Sequence, residues 1–194
     1  MIEISVFIRP YEARDYDRVR LICIATSDTK IRSESKRTFI LKMYCDYYIE
    51  SEPKNCFVAV DGGADGAEEQ VVGYILCAAD CESYAKNFLK NYVPKIKATG
   101  RLNGFTARSE VFLYSRYAAF FPAHLHIDVL PAYQRLGIGK MLTDTLLEHL
   151  REMKIKGVML VVGKKNVKGR SFYYKYGFSE VGKAGPGVVF GIDL

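Results

Sequence analysis

The sequence predicts a single α/β (α+β) domain, with a central mixed sheet of about six to seven strands flanked by helices. One observation is a strand–helix–strand pattern in the second half, where an amphipathic stretch separates apolar runs at 125–129 and 158–162. Such a unit forms a right-handed parallel crossover. The other observation is a pair of apolar runs at 56–60 and 71–79 around a glycine-rich turn, which predicts an antiparallel hairpin. The sheet is expected to be mixed because both kinds of strand pair occur.

The first third of the chain shows strand and helix periodicities in turn. Alternating apolar and polar residues predict a strand up to Arg9, which Pro10 ends. Apolar residues that repeat every three to four positions predict two helices, and Pro53 ends the second. The predicted elements are a strand at 4–9, helices at 13–26 and 33–50, a strand at 56–60, a turn at 62–66 and a strand at 71–79.

Residues 80–122 separate this hairpin from the next strand, and we name this segment the 80–122 insertion. Aromatic residues from Tyr84 to Tyr92 predict a helix that Pro94 ends. We expect a loop at 100–106, and either a helix or a strand at 110–121. Insertions of this length are often functional. Its aromatic residues would suit the wall of a binding site, although core packing explains them equally well.

The second half has sharper signals. Pro131 ends the strand at 125–129, and a turn at 134–139 leads into a helix that continues to about Met153. Gly157 is expected to cap this helix. The uninterrupted apolar run that follows predicts a strand covered on both faces. The inward positions of the helix are Met141, Leu142, Thr145, Leu146 and Leu150. The remaining elements are a strand at 158–162, a helix at 169–176 ended by Gly177, and strands at 178–181 and 188–193.

Composition narrows the class of protein. The chain has 194 residues, of which 49% are hydrophobic and 26% charged, and this excludes a disordered, collagen-like or coiled-coil protein. Its apolar runs fall short of the ~20 residues that a membrane span needs, and the N-terminus lacks a signal-peptide pattern. We therefore expect a cytoplasmic protein with no membrane partner. The five cysteines form no Cys-x-x-Cys pair, so we expect them to be reduced and mostly buried.

Gly137 and Gly139 lie between a predicted strand and a predicted helix N-terminus. Free backbone N–H groups and the helix dipole favour an anion there, and Arg135 and Lys140 add positive charge. A dinucleotide site would need a third glycine where Leu142 stands, and a P-loop would need Ser or Thr after Lys140. A phosphate or pyrophosphate remains a natural guest, and an ordinary tight turn is the alternative.

The segment Gln134-x-x-Gly137-x-Gly139 resembles the acetyl-CoA pyrophosphate loop of the GNAT N-acetyltransferases. A second signature, from Asn166 through Phe172-Tyr173 to Gly177-Phe178, is similar to the second-half motif of that family. The two motifs have the family's separation, and the predicted strand order matches the whole domain. The resemblance therefore covers residues 1–194 as one GNAT domain with a strongly twisted sheet.

A narrower resemblance links the chain to the acetyltransferase-like domain appended to O-GlcNAcases and its free-standing bacterial relatives. It rests on Gly73-Tyr74-Ile75-Leu76, the 80–122 insertion and the run from His124 to Pro131. Acetyl transfer has not been demonstrated for every member of that subgroup. The resemblance therefore implies acetyl-CoA as co-substrate and an amine as acceptor, but it leaves open a non-catalytic acetyl-CoA-binding domain.

The resemblance also implies roles for individual residues. Backbone amides from Leu136 to Lys140 would hold the pyrophosphate, and Asn166 would contact the pantetheine arm, which would lie where two strands splay apart. Lys164, Lys165, Lys168 and Arg170 are candidates for the 3′-phosphate. The full predicted cofactor set is Ile127, Val129, Gln134, Arg135, Leu136, Gly137, Ile138, Gly139, Lys140, Asn166, Arg170 and Tyr173.

Acetyl transfer to an amine requires two proton transfers, and side chains can assist each of them. Tyr173 stands where the general-acid tyrosine of the family stands, and a phenol can protonate a departing thiolate. His124, His126 and Asp128 share one face of a strand by their spacing of two, and each is a candidate base or could position one. Glu110 is a weaker candidate. A hydrogen-bonded structural role is the alternative for any of them.

Other functions fit less well. His124-x-His126-x-Asp128 resembles the start of a metallo-β-lactamase motif, but Val129 follows where another histidine is needed, so we expect no metal. The net charge of +6 favours anionic partners. Because no recognition helix or clear basic–aromatic stripe stands out, we expect no nucleic-acid partner. A homodimer is left open.

Overall fold

The computed structural model describes residues 5–27, 31–63 and 68–194. These residues contain one seven-stranded sheet with helices on both faces. The strands are β1 (Val6–Pro10), β2 (Phe57–Asp61), β3 (Gln70–Ala78), β4 (Ala123–Val129), β5 (Gly157–Gly163), β6 (Ser179–Ala184) and β7 (Gly187–Asp193). The helices are α1 (Tyr16–Thr26), α2 (Glu34–Tyr44), α3 (Asp46–Ser51), α4 (Cys81–Asn91), α5 (Val93–Ala98), α6 (Arg101–Tyr117), α7 (Ile138–Glu152) and α8 (Val167–Tyr176).

The strand order is β1-β2-β3-β4-β5-β7-β6. The β4–β5 pair is parallel and the other five pairs are antiparallel, which confirms the mixed sheet. α7 connects β4 to β5, so the predicted strand–helix–strand crossover is confirmed as well. The start of the first predicted strand, at Ile4, and positions 64–66 of the predicted turn lie outside the described residues.

The two faces of the sheet carry separate cores. α1 to α6 pack on one face around a cluster that includes Tyr47, Tyr48 and Tyr74. α7 and α8 pack on the other face around Leu142, Leu146 and Phe190. Successive residues of a strand point to opposite faces, so β4 contributes side chains to both cores. All five cysteines are buried free thiols, as predicted.

Two local predictions need correction. The predicted helix at 33–50 is broken at Cys45, which has φ −135° and separates α2 from α3. The predicted loop at 100–106 is wrong, because α6 begins at Arg101. A Cβ on Gly104 would lie 3.0 Å from the Lys97 side chain. This glycine lets α5 and α6 approach closely within the insertion and does not mark a loop. Pro94 does end α4, but it also opens α5.

The end of α7 also differs from the prediction. Met153 is its C-cap, Lys154 takes the left-handed conformation at φ +60°, and Gly157 is the first residue of β5. Met141 is exposed, whereas Thr143 and Leu147 are buried. None of the described helices is long and apolar enough to cross a membrane.

Candidate acetyl-CoA and amine site

β4 and β5 separate after a very short ladder. They pair only at Ala123–Val158 and His124–Met159, although both strands continue to Val129 and Gly163. Beyond the paired residues, each strand presents backbone N–H and C=O groups toward the other without a shared ladder. This divergence produces the splayed gap that the sequence comparison implied, and it lies next to the loop that begins α7.

The loop before α7 has the backbone shape of an anion site. Arg135 and Gly137 both have positive φ, at +67° and +82°. Gly137 is the N-cap residue of the 15-residue α7, and a Cβ placed on it would have no atom within 4 Å. The first N–H groups of a helix have no partner within the helix. These amides and the helix dipole therefore face open space where an anion can approach.

Side chains around this loop have other partners. Gln134 Nε2 donates to the Val129 carbonyl at 3.0 Å, which ties the loop to the end of β4. Lys140 Nζ lies 2.7 Å from Asp144, so its charge is paired along α7. Leu136 is half exposed, whereas the Ile138 side chain is buried and anchors the helix. The contribution of these residues to an anion is therefore mainly the backbone.

The second predicted motif begins α8. Asn166 Oδ1 accepts a 2.9 Å hydrogen bond from the Gly169 N–H and so caps the helix. Arg170 donates to Glu180 at 2.8 Å, which compensates its charge. Three lysines near this turn are exposed: Lys164, Lys165 and Lys168. Among the predicted phosphate-binding side chains at this end, Arg170 is paired with Glu180, whereas the three lysines have no acidic partner within the described residues.

Tyr173, on α8, is buried against Phe178 and Phe190. Burial, and after it the negative charge of Asp128, raise the pKa of the Tyr173 phenol. The Asp128 charge acts on Tyr173 although one residue lies on β4 and the other on a helix after β5. These two strands are the ones that separate after their short ladder.

Asp128 is held by the neighbouring strand. It is paired directly with Tyr74 of β3, and the Tyr74 hydroxyl donates a 2.6 Å hydrogen bond to Asp128 Oδ2. Burial and the Asp128 charge raise the pKa of Tyr74, which is fully buried. The phenol therefore remains a proton donor that fixes the carboxylate at the edge of the gap.

The two histidines of β4 converge on one hydroxyl. Nε2 of His124 and Nε2 of His126 each lie 3.0 Å from Tyr48 Oη. His124 is fully buried, and its ring stacks on Tyr114 with centroids 3.9 Å apart. Burial lowers the pKa of His126 to about 4, and burial with the nearby His126 lowers the pKa of His124. Both imidazoles are therefore neutral at pH 7.

Glu110, on α6, approaches the two histidines through Tyr114. It accepts a 3.1 Å hydrogen bond from Tyr114, and burial raises its pKa to about 7. Burial, and after it the Glu110 charge, raise the pKa of Tyr44, whose ring lies edge-on to His126 at 5.5 Å. Glu110, Tyr44 and His126 are partly exposed, whereas His124 lies behind them. Glu110, Tyr44 and His126 therefore form a partly exposed polar cluster. Asp128 follows His126 by two residues on the same face of β4.

Sequence reasoning missed the three tyrosines that organise this site. Tyr44 and Tyr48 have a spacing of four, which would place them on one helix face, but the break at Cys45 separates them into α2 and α3. Tyr74 is in a strand that is almost entirely buried. No local signal distinguishes these phenols from packing residues, since only their cross-strand and cross-helix partners give them a polar role.

The chain matches a known protein family and resembles several solved structures. The acetyltransferase (GNAT) family model matches residues 20–178. The crystal structure of SsHAT is 26% identical, with a TM-score of 0.83, over 97% of this chain and 98% of that one. PH1933 from Pyrococcus horikoshii OT3 has 19% identity and a TM-score of 0.68 over 98% and 99% of the two chains. The PaiA N-acetyltransferase from Thermoplasma acidophilum, solved with coenzyme A, has 18% identity and a TM-score of 0.61 over 98% and 100%. The likeness to the last two shows the fold alone.

Proposed function

Since this chain belongs to the GNAT acetyltransferase family, we propose that it is an acetyl-CoA-dependent N-acetyltransferase whose acceptor amine attacks the thioester directly. The observation that carries the proposal is the β4–β5 gap. It adjoins the N-terminus of α7, and the charge of Asp128 on β4 acts on the Tyr173 phenol of α8. The narrower likeness to the O-GlcNAcase-appended domain stays a prediction.

The residues present fit acetyl-CoA as substrate. The open, positive-φ Gly137 and the free N–H groups of residues 138–140 would hold the pyrophosphate. Ile127 and Val129, which are partly buried at the edge of the second core, would border the pantetheine arm, with Asn166 at its other side. Arg135, Arg170 and the three exposed lysines would lie toward the nucleotide phosphates.

Acetyl transfer forms a C–N bond and breaks the C–S bond of the thioester. The thiolate that leaves needs a proton, and Tyr173 is the proposed donor. A phenol with a raised pKa stays protonated at pH 7, so it can form a hydrogen bond to the sulfur and then transfer the proton as negative charge develops there. Its burial excludes water from that side of the gap.

The amine must lose a proton, and we propose that Glu110 accepts it while Asp128 orients the amine. A base works best when its pKa lies near the working pH, and Glu110 has a pKa of about 7. His126, with a pKa of about 4, is a weak acceptor. His124 is buried behind Tyr48 and acts on this proposal as a positioning residue for His126.

A non-catalytic acetyl-CoA-binding domain is the second candidate. The observation in its favour is that both β4 histidines have strongly lowered pKa values and share Tyr48 as a partner. In this case the cofactor loop would bind acetyl-CoA, but no group would take a proton from an amine.

Two measurements separate the candidates. Thermal shift and calorimetry with millimolar acetyl-CoA test binding, and CoA thiol release with a panel of amines, from polyamines to aminosugars and peptides, tests turnover. Binding with turnover supports the enzyme, and binding without turnover on every amine supports the second candidate. Neither binding nor turnover would contradict both.

A further inference from the structure

The net charge of this protein is concentrated in three helices. Residues 81–117, which span α4 to α6, contain seven basic side chains (Lys86, Lys90, Lys95, Lys97, Arg101, Arg108 and Arg116) and two acidic ones (Glu82 and Glu110). Seven minus two leaves +5, out of +6 for the whole chain. Glu110 lies partly buried toward Tyr114, so it does little to offset the outward charge.

α6 interleaves this charge with large apolar side chains. Arg101, Phe105, Arg108, Phe112 and Arg116 follow one another at spacings of four, three, four and four. At 100° per residue they fall within about 80° of the helix circumference. The opposite face, which includes Gly104, Ala107, Val111 and Tyr114, is buried in the first core. We name the outer set, together with Leu102, the Arg–Phe face.

The apolar members of this face are unusually exposed. Leu102 is 82% exposed, Phe105 72% and Phe112 70%. Phe120, just after α6, is 71% exposed. Single exposed apolar residues are normal, but a grouped set beside basic residues marks an interaction surface. The core of the protein is complete without these side chains, so packing does not account for them.

We propose that the Arg–Phe face binds an anionic phospholipid surface, with Leu102, Phe105 and Phe112 inserted at the headgroup boundary and the three arginines on lipid phosphates. A basic amphipathic helix with aromatic residues is the usual device for such binding. α6 has 17 residues, which corresponds to ~25 Å of helix, and it lies on the outside of the insertion. The flanking lysines of α4 and α5 extend the positive field.

The charges argue against other occupants. A second copy docked through the same face would bring six arginines together with no acidic partner on that face. A single-stranded nucleic acid would satisfy the arginines and could stack on the phenylalanines, but it offers no apolar environment to Leu102, the most exposed of the three apolar side chains. Lipid acyl chains provide an apolar environment for all three of these side chains.

This proposal revises the expectation of no membrane partner. That expectation rested on apolar runs too short to span a bilayer, whereas surface binding needs only one face of a helix. The sequence alone did not indicate this basic–aromatic stripe, because its residues are separated by three or four positions. The predicted loop at 100–106 also interrupted the helix that aligns them.

Vesicle flotation of the full-length protein tests the proposal. The probes are vesicles of phosphatidylcholine alone and of phosphatidylcholine with 30% phosphatidylserine, at 50 and 300 mM salt. Phe105→Ser/Phe112→Ser and Arg101→Gln/Arg108→Gln/Arg116→Gln are the test variants. Met153→Ser and Arg151→Gln/Lys154→Gln/Lys156→Gln are matched controls at exposed positions at the C-terminal end of α7 and just beyond it, on the other side of the sheet.

We expect binding to the anionic vesicles only, and weaker binding at the higher salt. Each arginine near the surface is worth about fivefold in partition, so the triple variant should lose about 100-fold. The phenylalanine variant should lose at least tenfold, and both controls should bind like the wild type. Circular dichroism and melting temperature confirm that each variant is folded.

The proposal would be overturned if the wild type does not bind anionic vesicles at 50 mM salt. It would also be overturned if the control variants lose as much vesicle binding as the test variants. A third contradicting result is vesicle binding that is lost in the arginine variant but kept in the phenylalanine variant. A titration of the same proteins with a fluorescent 20-mer of deoxythymidine tests the alternative that this face binds nucleic acid. Oligonucleotide binding lost in both test variants, without vesicle binding, would make this a nucleic-acid face. None of these outcomes depends on acetyl transfer.

Discussion

The hydroxyl of Tyr74 donates a 2.6 Å hydrogen bond to Asp128, its direct partner on the adjacent strand. The bond holds a carboxylate at the edge of the gap where β4 leaves β5, and there its charge reaches Tyr173. Two side chains from different faces of the sheet thus influence one another through a break in the ladder. This relationship fixes where the amine and the thioester would meet on our proposal.

Gly137→Val should abolish the thermal stabilisation by acetyl-CoA and leave the protein folded. A β-branched side chain at φ +82° is strained and would occupy the space that an anion needs. Differential scanning fluorimetry with millimolar acetyl-CoA measures the effect. Gly185→Val is the matched control, because Gly185 also has positive φ and open space around it but lies in the β6–β7 turn. Equal thermal shifts in the two variants would contradict a role for the α7 loop.

Tyr173→Phe should lower kcat by about 100-fold or more, since it deletes the proton donor and keeps the packing. Acetyl-CoA binding should change little. Tyr174→Phe is the control on the same helix, where Tyr174 is 49% exposed, and it should retain wild-type turnover. Thiol release on an accepted amine is the measurement. Wild-type kcat in Tyr173→Phe would assign the tyrosine to packing alone.

Glu110→Gln should lower kcat/KM by 10² to 10⁴ and remove the limb of the pH–rate profile that rises toward pH 7. The reason is that the wild-type carboxyl, with a pKa of about 7, is an active base only when deprotonated. Partial rescue is expected at high pH, where the amine is already neutral. Asp128→Asn should depress the rate by a similar factor at all pH values, because it removes positioning.

His126→Ala and His124→Ala complete this series. Since both imidazoles are neutral at pH 7, we expect smaller losses with an unchanged profile. If His126→Ala removes the pH dependence and Glu110→Gln keeps it, the base is His126. If the variants at Glu110, His126 and Asp128 all keep the wild-type rate, the proton acceptor is a water chain or the substrate itself.

Stability should respond to pH in two opposite ways. Glu110 has a folded pKa raised from 4.5 to about 7, so its contribution is complete below pH 4.5 and is lost as pH rises through 7. His126 has a folded pKa lowered from 6.5 to about 4, so its effect is to reduce stability as pH falls from 6.5 toward 4. The two effects offset one another between pH 7 and pH 5.

Glu110→Gln should therefore expose the histidine effect. From pH 7 to pH 5 the variant should lose about 2 kcal/mol more unfolding free energy than the wild type. Urea unfolding at the two pH values measures the difference. Glu82→Gln, at an exposed carboxyl on α4, should behave like the wild type. Parallel curves for Glu110→Gln and wild type would show that the Glu110 pKa is not raised by folding.

Local sequence patterns were sufficient to predict the elements of the second half and their connection. The apolar runs around 125–129 and 158–162, with a periodic helix between them, required a parallel crossover, and Gly137 and Gly139 required a sharp turn at the start of that helix. These features depend on local periodicity and on backbone freedom, both of which a sequence shows directly. The shared face of His124, His126 and Asp128 followed in the same way from strand alternation.

Which polar groups meet depends on the packing of elements that are separate in the sequence. The partners Tyr48 and Tyr74 come from α3 and β3, both far along the chain from β4. Glu110 lies nearer in sequence, on α6, but it reaches the histidines through Tyr114. Packing of α5 against α6 also overrode the local glycine signal at Gly104, which became a close helix contact. A pKa depends on burial and on neighbouring charge, and neither is a property of the chain near the residue. Glu110 was a weaker candidate base from the sequence, and its preference over the histidines, like the Arg–Phe face, depends on how the helices of the insertion pack.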